Sequence, residues 1–103
     1  MAQQSALTES TYYILLSLVE PRHGYGIMQM AEQLSHGRVR LAAGTLYGAL
    51  NALVDKGWIA QLPGEGRKKE YRLTPKGLEI LKKELARLRE LVASGDMVLK
   101  EEA

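Results

Sequence analysis

The strongest local chemistry in this sequence is a short basic segment. Arg67, Lys68, Lys69 and Arg72 bring four cations into six residues, opposed only by Glu70. Cations at this density can neutralise phosphate groups or enter a minor groove, with an affinity that falls steeply as salt is added. The formal net charge of the chain is only +2, so this local patch matters more than the total. A basic hairpin tip by itself is usually a solvated surface, and its interpretation depends on the elements that carry it.

A second candidate surface is one side of a predicted helix that runs from Ala43 to about Lys56. At 100° per residue, the side opposite its leucine stripe carries two glycines and several small or polar residues: Gly44, Thr45, Tyr47, Gly48, Asn51, Ala52 and Asp55. Interior helical glycines cost about 1 kcal/mol each relative to alanine. Two of them on an exposed face indicate close approach of a partner such as DNA, with tight helix packing as the alternative.

The polar groups of this helix suit contacts to nucleic acid. Asn51 can make a bidentate contact to adenine, and the hydroxyls of Thr45 and Tyr47 can bond phosphates or base edges. Ala42 has no capping oxygen, which leaves the first N–H groups available to a phosphate. No arginine or lysine precedes Lys56, so we expect weak guanine readout and a dependence on DNA shape or on few contacts.

The surrounding pattern predicts a winged helix-turn-helix fold. The first predicted helix runs from the N-cap Thr8 to Glu20, and the second runs from Gly24 to about His36 and closes at Gly37. A short half-buried strand at 38–41 precedes the helix described above, which Gly57 stops. A hairpin follows, with strands 58–62 and 70–74 joined by a turn at 63–66. The fold class is therefore mainly α with a small β-wing. We expect Trp58, at the root of that wing, to pack against the body of the domain.

A long last helix begins at the N-cap Thr74 and Pro75. Its apolar residues recur at intervals of 3 and 4 and form an a/d seam: Leu78, Leu81, Leu85, Leu88 and Val92. Residues 94–96 interrupt the pattern and leave a short frayed tail from Met97. The helix to Val92 is about 27 Å long, too long for a small domain to cover. A second chain would cover the rest; the alternative is that the seam folds back on the first helix.

Length and composition set the limits of this interpretation. The 103 residues predict a DNA-binding domain over 1–74 and a dimerisation helix with its tail over 75–103. Apolar residues make up 46% and charged residues 25%, which suits a soluble globular protein. The chain has no cysteine, no secretory signal pattern and no apolar run that could span a bilayer. We therefore expect a cytoplasmic protein that does not bind membranes.

Enzymatic chemistry has little support in the sequence. His23 and His36 lie at helix ends without a nearby acidic or cysteine cluster, and no serine belongs to a nucleophile motif. A zinc site would need three or four convergent ligands. We expect no catalytic residue, metal or cofactor, and we interpret His23 as a turn or phosphate-facing residue.

The most specific motifs resemble those of the PadR family of transcriptional regulators, in its short form with one C-terminal helix. The similarity covers roughly residues 7–92 and depends on four phrases: Gly24-Tyr25-Gly26, Gly44-Thr45-Leu46-Tyr47 followed by Ala49-Leu50, Lys56-Gly57-Trp58-Ile59, and Tyr71 to Gly77. The resemblance implies a homodimer that represses promoters and releases double-stranded DNA when an effector binds or conditions change. Many relatives have serine where this chain has Ala42.

The resemblance also implies roles for individual residues. DNA would be contacted by Tyr25, Thr45, Tyr47, Asn51 and the basic residues 67–69. The residue pattern itself, rather than the resemblance, adds Gly48 as a place where DNA approaches the backbone. The last helix would pack against the first helix of the partner chain, which makes Leu15, Leu16 and Leu18 candidates for the dimer interface together with the seam.

The effector is the least determined part of the prediction. Some relatives bind flat aromatic compounds with a ring from the last helix, but residues 75–103 contain no aromatic side chain. Tyr12, Tyr13 and Met97 are candidates to line an apolar slot, because methionine adapts to varied ligands; packing in the core or interface is the alternative for Tyr12. Two other functions stay open: a drug-sensing regulator of an efflux pump, and a winged-helix docking or oligomerisation module that does not bind DNA.

Overall fold

The computed structural model describes residues 6–64 and 69–100, which form a mainly helical protein with a small antiparallel sheet. The elements follow in the order α1 (Glu9–Ser17), β1 (Arg22–His23), α2 (Gly24–Leu34), α3 (Ala43–Asp55), β2 (Ile59–Gln61), β3 (Glu70–Leu73) and α4 (Pro75–Leu99). This order confirms the predicted winged helix-turn-helix with a long C-terminal helix. Within the described ranges, no helix has the length and apolar character needed to cross a membrane.

Local capping explains where the helices begin and end. The Thr8 hydroxyl accepts a hydrogen bond from the Thr11 N–H at 3.1 Å, and the Thr74 hydroxyl accepts one from the Gly77 N–H at 3.0 Å. Both side chains satisfy N–H groups that a helix start leaves free, as the sequence predicted. Gly57 follows α3 with a φ of +79°, a left-handed conformation that glycine adopts without a steric penalty.

The connection between α2 and α3 differs from the prediction. α2 ends at Leu34 rather than near His36, and His36 and Gly37 both have left-handed backbones. The predicted strand at 38–41 is wrong. Its burial does alternate, but the segment pairs with no strand in the described part of the chain, and the Val39 N–H bonds to the Ser35 hydroxyl at 2.9 Å. The segment is thus held as a continuation of the turn.

The sheet has three strands in the order β1-β3-β2, with both pairs antiparallel. Strands β2 and β3 confirm the predicted hairpin, with Ile59 opposite Leu73; residues 65–68 of its turn lie outside the described residues. β1 was not predicted, because two residues are too few to show a period of two. It sets Arg22 opposite Tyr71 and so ties the start of α2 to the wing, which we define as residues 59–73.

One hydrophobic core joins all four helices and the sheet. It consists of the side chains Ile14, Leu15, Leu18, Ile27, Leu46, Leu50, Leu53, Ile59, Tyr71 and Leu81. Trp58 packs against this core, as predicted, while the Lys56 ammonium lies 4.7 Å from its ring centroid. Because Leu81 belongs to α4, the first turns of that helix are part of the core.

α4 runs without a break for 25 residues and ends at Leu99. The predicted interruption at 94–96 and the frayed tail from Met97 are therefore wrong, although residues 101–103 lie outside the described part. A single glycine in a helix costs about 1 kcal/mol, which favourable neighbours can offset. At 1.5 Å per residue, α4 is about 37 Å long.

Candidate nucleic-acid interface

The side of α3 that faces away from the core is open to solvent. Leu46, Leu50 and Leu53 point into the core, whereas the exposed side consists of Gly44, Thr45, Tyr47, Gly48, Asn51, Ala52 and Asp55. A Cβ atom built on Gly44 or Gly48 would meet no heavy atom within 4 Å from other elements in the described part of the chain. The described residues therefore supply no packing reason for either glycine, and another molecule can approach the backbone of α3 at these two positions.

The start of α3 has unused donors. Ala42 has the extended backbone of an N-cap residue, with φ −74° and ψ 150°, but among the described residues no side chain caps the helix. The first N–H groups of a helix have no partner within it and carry the positive end of the helix dipole. An anion such as a phosphate oxygen can accept hydrogen bonds from them.

The start of α2 lies beside this surface and projects Tyr25, whose side chain is 63% exposed. His23 is the N-cap of α2, and its Nδ1 accepts a hydrogen bond from the Gly26 N–H at 3.2 Å. The sequence interpretation of His23 as a turn residue agrees with this role. By capping the helix, His23 helps to fix the backbone from which Tyr25 projects.

Tyr47 connects α3 to its neighbours. Its hydroxyl lies directly over Gly24 at the first position of α2, where a Cβ atom would overlap the oxygen. Burial raises the pKa of Tyr71 above its usual value of 10.0, and the nearby Tyr47 raises it further. Tyr71 lies in the core, whereas Tyr47 is 41% exposed.

The wing also presents cations to solvent. Lys69, just before β3, and Arg72, within β3, are exposed. Arg67 and Lys68, the other two cations of the predicted basic patch, lie outside the described residues. The backbone of the wing is fixed near its tip by a hydrogen bond of 2.7 Å from the Leu62 N–H to the Glu70 carbonyl.

Comparison with known proteins identifies the family that shares this architecture. Residues 14–83 match the model of the transcriptional regulator PadR-like family. The chain belongs to this family. The members of this family are transcriptional regulators. Over 72 residues it is 42% identical to an uncharacterized 37.1 kDa protein of transposon TN4556 from Streptomyces fradiae, but it spans only 20% of the length of that relative.

Solved structures of the family share the fold. The chain is 27% identical to a PadR family regulator from Eggerthella lenta, with a TM-score of 0.65 over 89% of this chain and 81% of that one. It is also 27% identical to RosR of H. salinarum, with a TM-score of 0.68 over 90% and 96% of the two chains. A PadR-like regulator from Bacillus cereus has a TM-score of 0.71 over 91% and 92%; at 19% identity it is similar in fold alone.

The predicted dimer residues fall into two groups. Leu15 and Leu18 are completely buried inside their own chain, so the prediction that they meet a partner helix is wrong for these two. They point inward because α1 packs against both α2 and α4 of its own chain. Leu16 is half-buried and keeps some exposed surface.

The seam on α4 is likewise divided. Leu81 is buried in the core, Leu85 and Leu88 are half-buried, and Leu78 and Val92 are exposed. From Leu81 to Leu88 the seam thus follows the alternative in which it folds back on the body of the chain, whereas Leu78 before it is exposed. Beyond it, Leu99 lies one heptad after Val92 and is exposed, together with Leu91 and Val98, and the seam position between Val92 and Leu99 is Gly95.

The residues suggested for an effector slot have different surroundings. Tyr12 packs against the core, and its ring contacts Tyr13 edge to face with centroids 5.8 Å apart. This contact agrees with the packing alternative for Tyr12. Met97 is 69% exposed on the last turn of α4.

Sequence reasoning missed Glu84, which is 1% exposed and connects α4 to the start of the chain. Its carboxylate accepts hydrogen bonds from the Arg87 guanidinium at 2.6 and 2.8 Å and from the Leu7 N–H at 3.2 Å. A carboxylate this deeply buried needs such partners. The spacing of the sequence could have predicted that Glu84 is buried, because Glu84 lies three residues after Leu81 and four before Leu88, as a core residue of a helix does.

Proposed function

We propose that this PadR-like regulator is a homodimeric repressor that binds operator DNA through α3, the start of α2 and the wing, and that an effector or stress signal releases it. The observation that carries the proposal is the exposed side of α3. Among residues 6–64 and 69–100, no side chain lies over Gly44 or Gly48 and none caps the first N–H groups of α3. A helix with this surface can lie in a major groove with its backbone close to the DNA.

The side chains on this surface suggest which groups of DNA are contacted. Asn51 suits adenine, and the hydroxyls of Thr45 and Tyr47 suit phosphates or base edges. Tyr25 would contact the backbone from the start of α2. Because α3 offers no arginine or lysine before its end, we infer that the operator is read through few base contacts and through DNA shape.

The wing would supply the electrostatic part of the affinity. Lys69 and Arg72 are exposed, and Arg67 and Lys68 precede them in the sequence. Each phosphate that is neutralised releases counterions and adds about 0.9 to the salt slope of binding. In this proposal α3 supplies the sequence specificity, and the wing supplies the salt-dependent part of the affinity.

A second copy of the chain is the proposed partner of α4. Residues 1–74 would act as the DNA-binding unit and 75–103 as the dimerisation helix. The second half of α4 exposes apolar residues, including Val92 and Leu99. It also has a shallow depression of about 360 Å³ lined by Leu85, Leu88, Arg89, Val92, Ala93 and Asp96. Exposed apolar stripes of this kind usually mark an interface. Two chains would then bind the two half-sites of a pseudo-palindromic operator.

A small-molecule effector would act at or near this dimer interface. Tyr12, Tyr13 and Met97 are the candidate lining residues, since α1 packs on α4 and Met97 extends from its exposed end. The dimer could hold its two DNA-binding units at a spacing that does not match the operator half-sites. A ligand that binds more tightly to the dimer in that arrangement would lower its affinity for the operator.

The test is fluorescence anisotropy of the purified protein on the DNA upstream of its own gene and on a scrambled duplex, repeated over a salt series. We expect the upstream DNA to bind about 10³-fold more tightly or better, with both affinities falling as salt rises. A Lys69→Ala variant should lower the salt slope by about 0.9 if Lys69 neutralises one phosphate. Equal affinities would contradict sequence-specific repression, and no binding would favour a docking module instead.

A further inference from the structure

Gly24 lies where the start of α2 meets the aromatic side chain of α3. A Cβ atom at this position would overlap the hydroxyl oxygen of Tyr47 and would lie 2.7 Å from its Cζ and 3.3 Å from its Cε1. Such an overlap cannot exist. Among the described glycines, positive φ angles occur at Gly37 and Gly57 but not at Gly24. Backbone conformation therefore gives no reason for glycine here, whereas the Tyr47 ring does.

The backbone just before Gly24 is paired with the wing. Arg22, two residues before Gly24, lies opposite Tyr71 in the β1–β3 pair, and Tyr71 is buried in β3. The Tyr47 hydroxyl thus lies against a start of α2 that the sheet holds in place, while Tyr47 as a whole remains 41% exposed on α3.

We propose that Gly24 is a positioning residue for DNA recognition. By having no side chain, it lets the Tyr47 hydroxyl dock on the start of α2 and holds the ring in one orientation at the edge of the DNA-binding face. The inference depends on the proposed function, because it assumes that Tyr47 contacts DNA. The inference goes further than the proposed function, because it says that a buried glycine controls how Tyr47 contacts DNA.

The substitution that tests this is Gly24→Ala. To restore ordinary contact, the end of the Tyr47 side chain would have to move by on the order of 1 Å, and a rigid phenol can do so only by rotating the whole ring. A matched control exists in the same turn of the same helix. A Cβ atom on Gly26 would have its nearest neighbours, on Arg22 and His23, at 3.7 Å, which is ordinary contact.

The experiment is a double-mutant cycle on Gly24→Ala and Tyr47→Ala, measured by anisotropy on operator DNA, with Gly26→Ala as control. We expect Tyr47→Ala to weaken binding at least about fivefold, as removal of a base or phosphate contact does. Gly24→Ala should weaken it comparably in the wild-type background and by less than about twofold in the Tyr47→Ala background, because both changes remove the same contact. Gly26→Ala should stay within about twofold of wild type.

Thermal melting of the same variants separates positioning from misfolding. Gly24→Ala should lower the melting temperature when Tyr47 is present and leave it unchanged or higher when Tyr47 is alanine, since the clash is then absent. The double variant therefore folds even if Gly24→Ala alone does not.

Two results would overturn the inference while leaving the proposed function intact. The first is a Gly24→Ala protein that binds as wild type while Tyr47→Ala does not. The second is a Gly24→Ala loss of affinity that is equally large in both backgrounds. If the wild-type protein shows no preference for operator DNA, the proposed function fails and the inference fails with it.

Discussion

Replacing Gly48 by alanine should change stability and DNA binding in opposite directions. Gly48 lies in the interior of α3, midway in sequence between Leu46 and Leu50 but on the opposite, exposed side, and a Cβ atom there would meet nothing within 4 Å in the described part of the structure. Alanine is favoured over glycine in a helix interior by up to about 1 kcal/mol. For a domain of this size, a gain of roughly 0.5–1 kcal/mol raises the melting temperature by about 2–8 °C.

The same methyl group would project from the exposed side of α3 toward the proposed position of DNA. Forcing an extra methyl into a closely packed interface costs about 1–3 kcal/mol. At about 1.4 kcal/mol for each factor of ten, operator affinity would fall roughly 5- to 140-fold for each half-site affected. A more stable protein that binds less tightly is an unusual combination, and unfolding cannot produce it.

The assay pairs thermal melting by circular dichroism with anisotropy on operator and scrambled duplexes at one salt concentration. Ala52→Gly, the reverse change on the same exposed side, is the control for stability: it should lower stability by about 1 kcal/mol. A Gly48→Ala protein with a higher melting temperature and unchanged affinity would refute close approach of DNA at this position. A lower melting temperature would refute the open space around Gly48.

Three further predictions concern the core, pH and assembly. Gly77→Ala should destabilise the protein by about 2–4 kcal/mol, because the added Cβ atom would overlap the backbone carbonyl of Trp58. Thermal or urea unfolding measures this loss, and an unchanged unfolding midpoint would contradict the tight packing of α4 at Gly77. Since the pKa of Tyr71 is raised in the folded state, its contribution to stability is full below pH 10.0 and is lost as pH rises through the folded value; Tyr71→Phe should flatten this alkaline loss, measured as unfolding free energy against pH. Val92→Asp adds a charge at a residue already 63% exposed, so it should convert dimer to monomer in sedimentation without lowering the stability of the monomer; a variant that still sediments as a dimer would exclude this part of α4 from the interface.

Several elements of the fold follow from local signals and were predicted correctly. Thr8 and Thr74 cap helices because their hydroxyls bond N–H groups three residues on, and Gly57 ends α3 because it adopts a left-handed backbone. These interactions span a few residues and need no distant partner. The leucine spacing of α3 fixed its inward side and, by exclusion, its exposed side.

The errors arose where distant contacts outweigh local pattern. Residues 38–41 alternate in burial like a strand but have no strand beside them in the described part of the chain, and β1 is a strand only because Tyr71 lies opposite Arg22. Ser94 to Asp96 have weak helix propensity, yet α4 continues through them. In each case the local preference is on the order of 1 kcal/mol, and the rest of the fold decides the outcome.

The sequence by itself determined the family, the order of the four helices and the hairpin, and the exposed side of α3, since motif spacing and helical periodicity are properties of the linear chain. Tertiary structure alone decided which apolar side chains remain on the surface. Leu15 and Leu18 carry the same pattern as an interface yet are completely buried, whereas Val92 is exposed. It also revealed that Gly24 faces Tyr47 and that Glu84 holds Arg87 and the Leu7 N–H. Periodicity gives the direction of a side chain on its own element, but the neighbour it meets depends on how elements distant in sequence pack together.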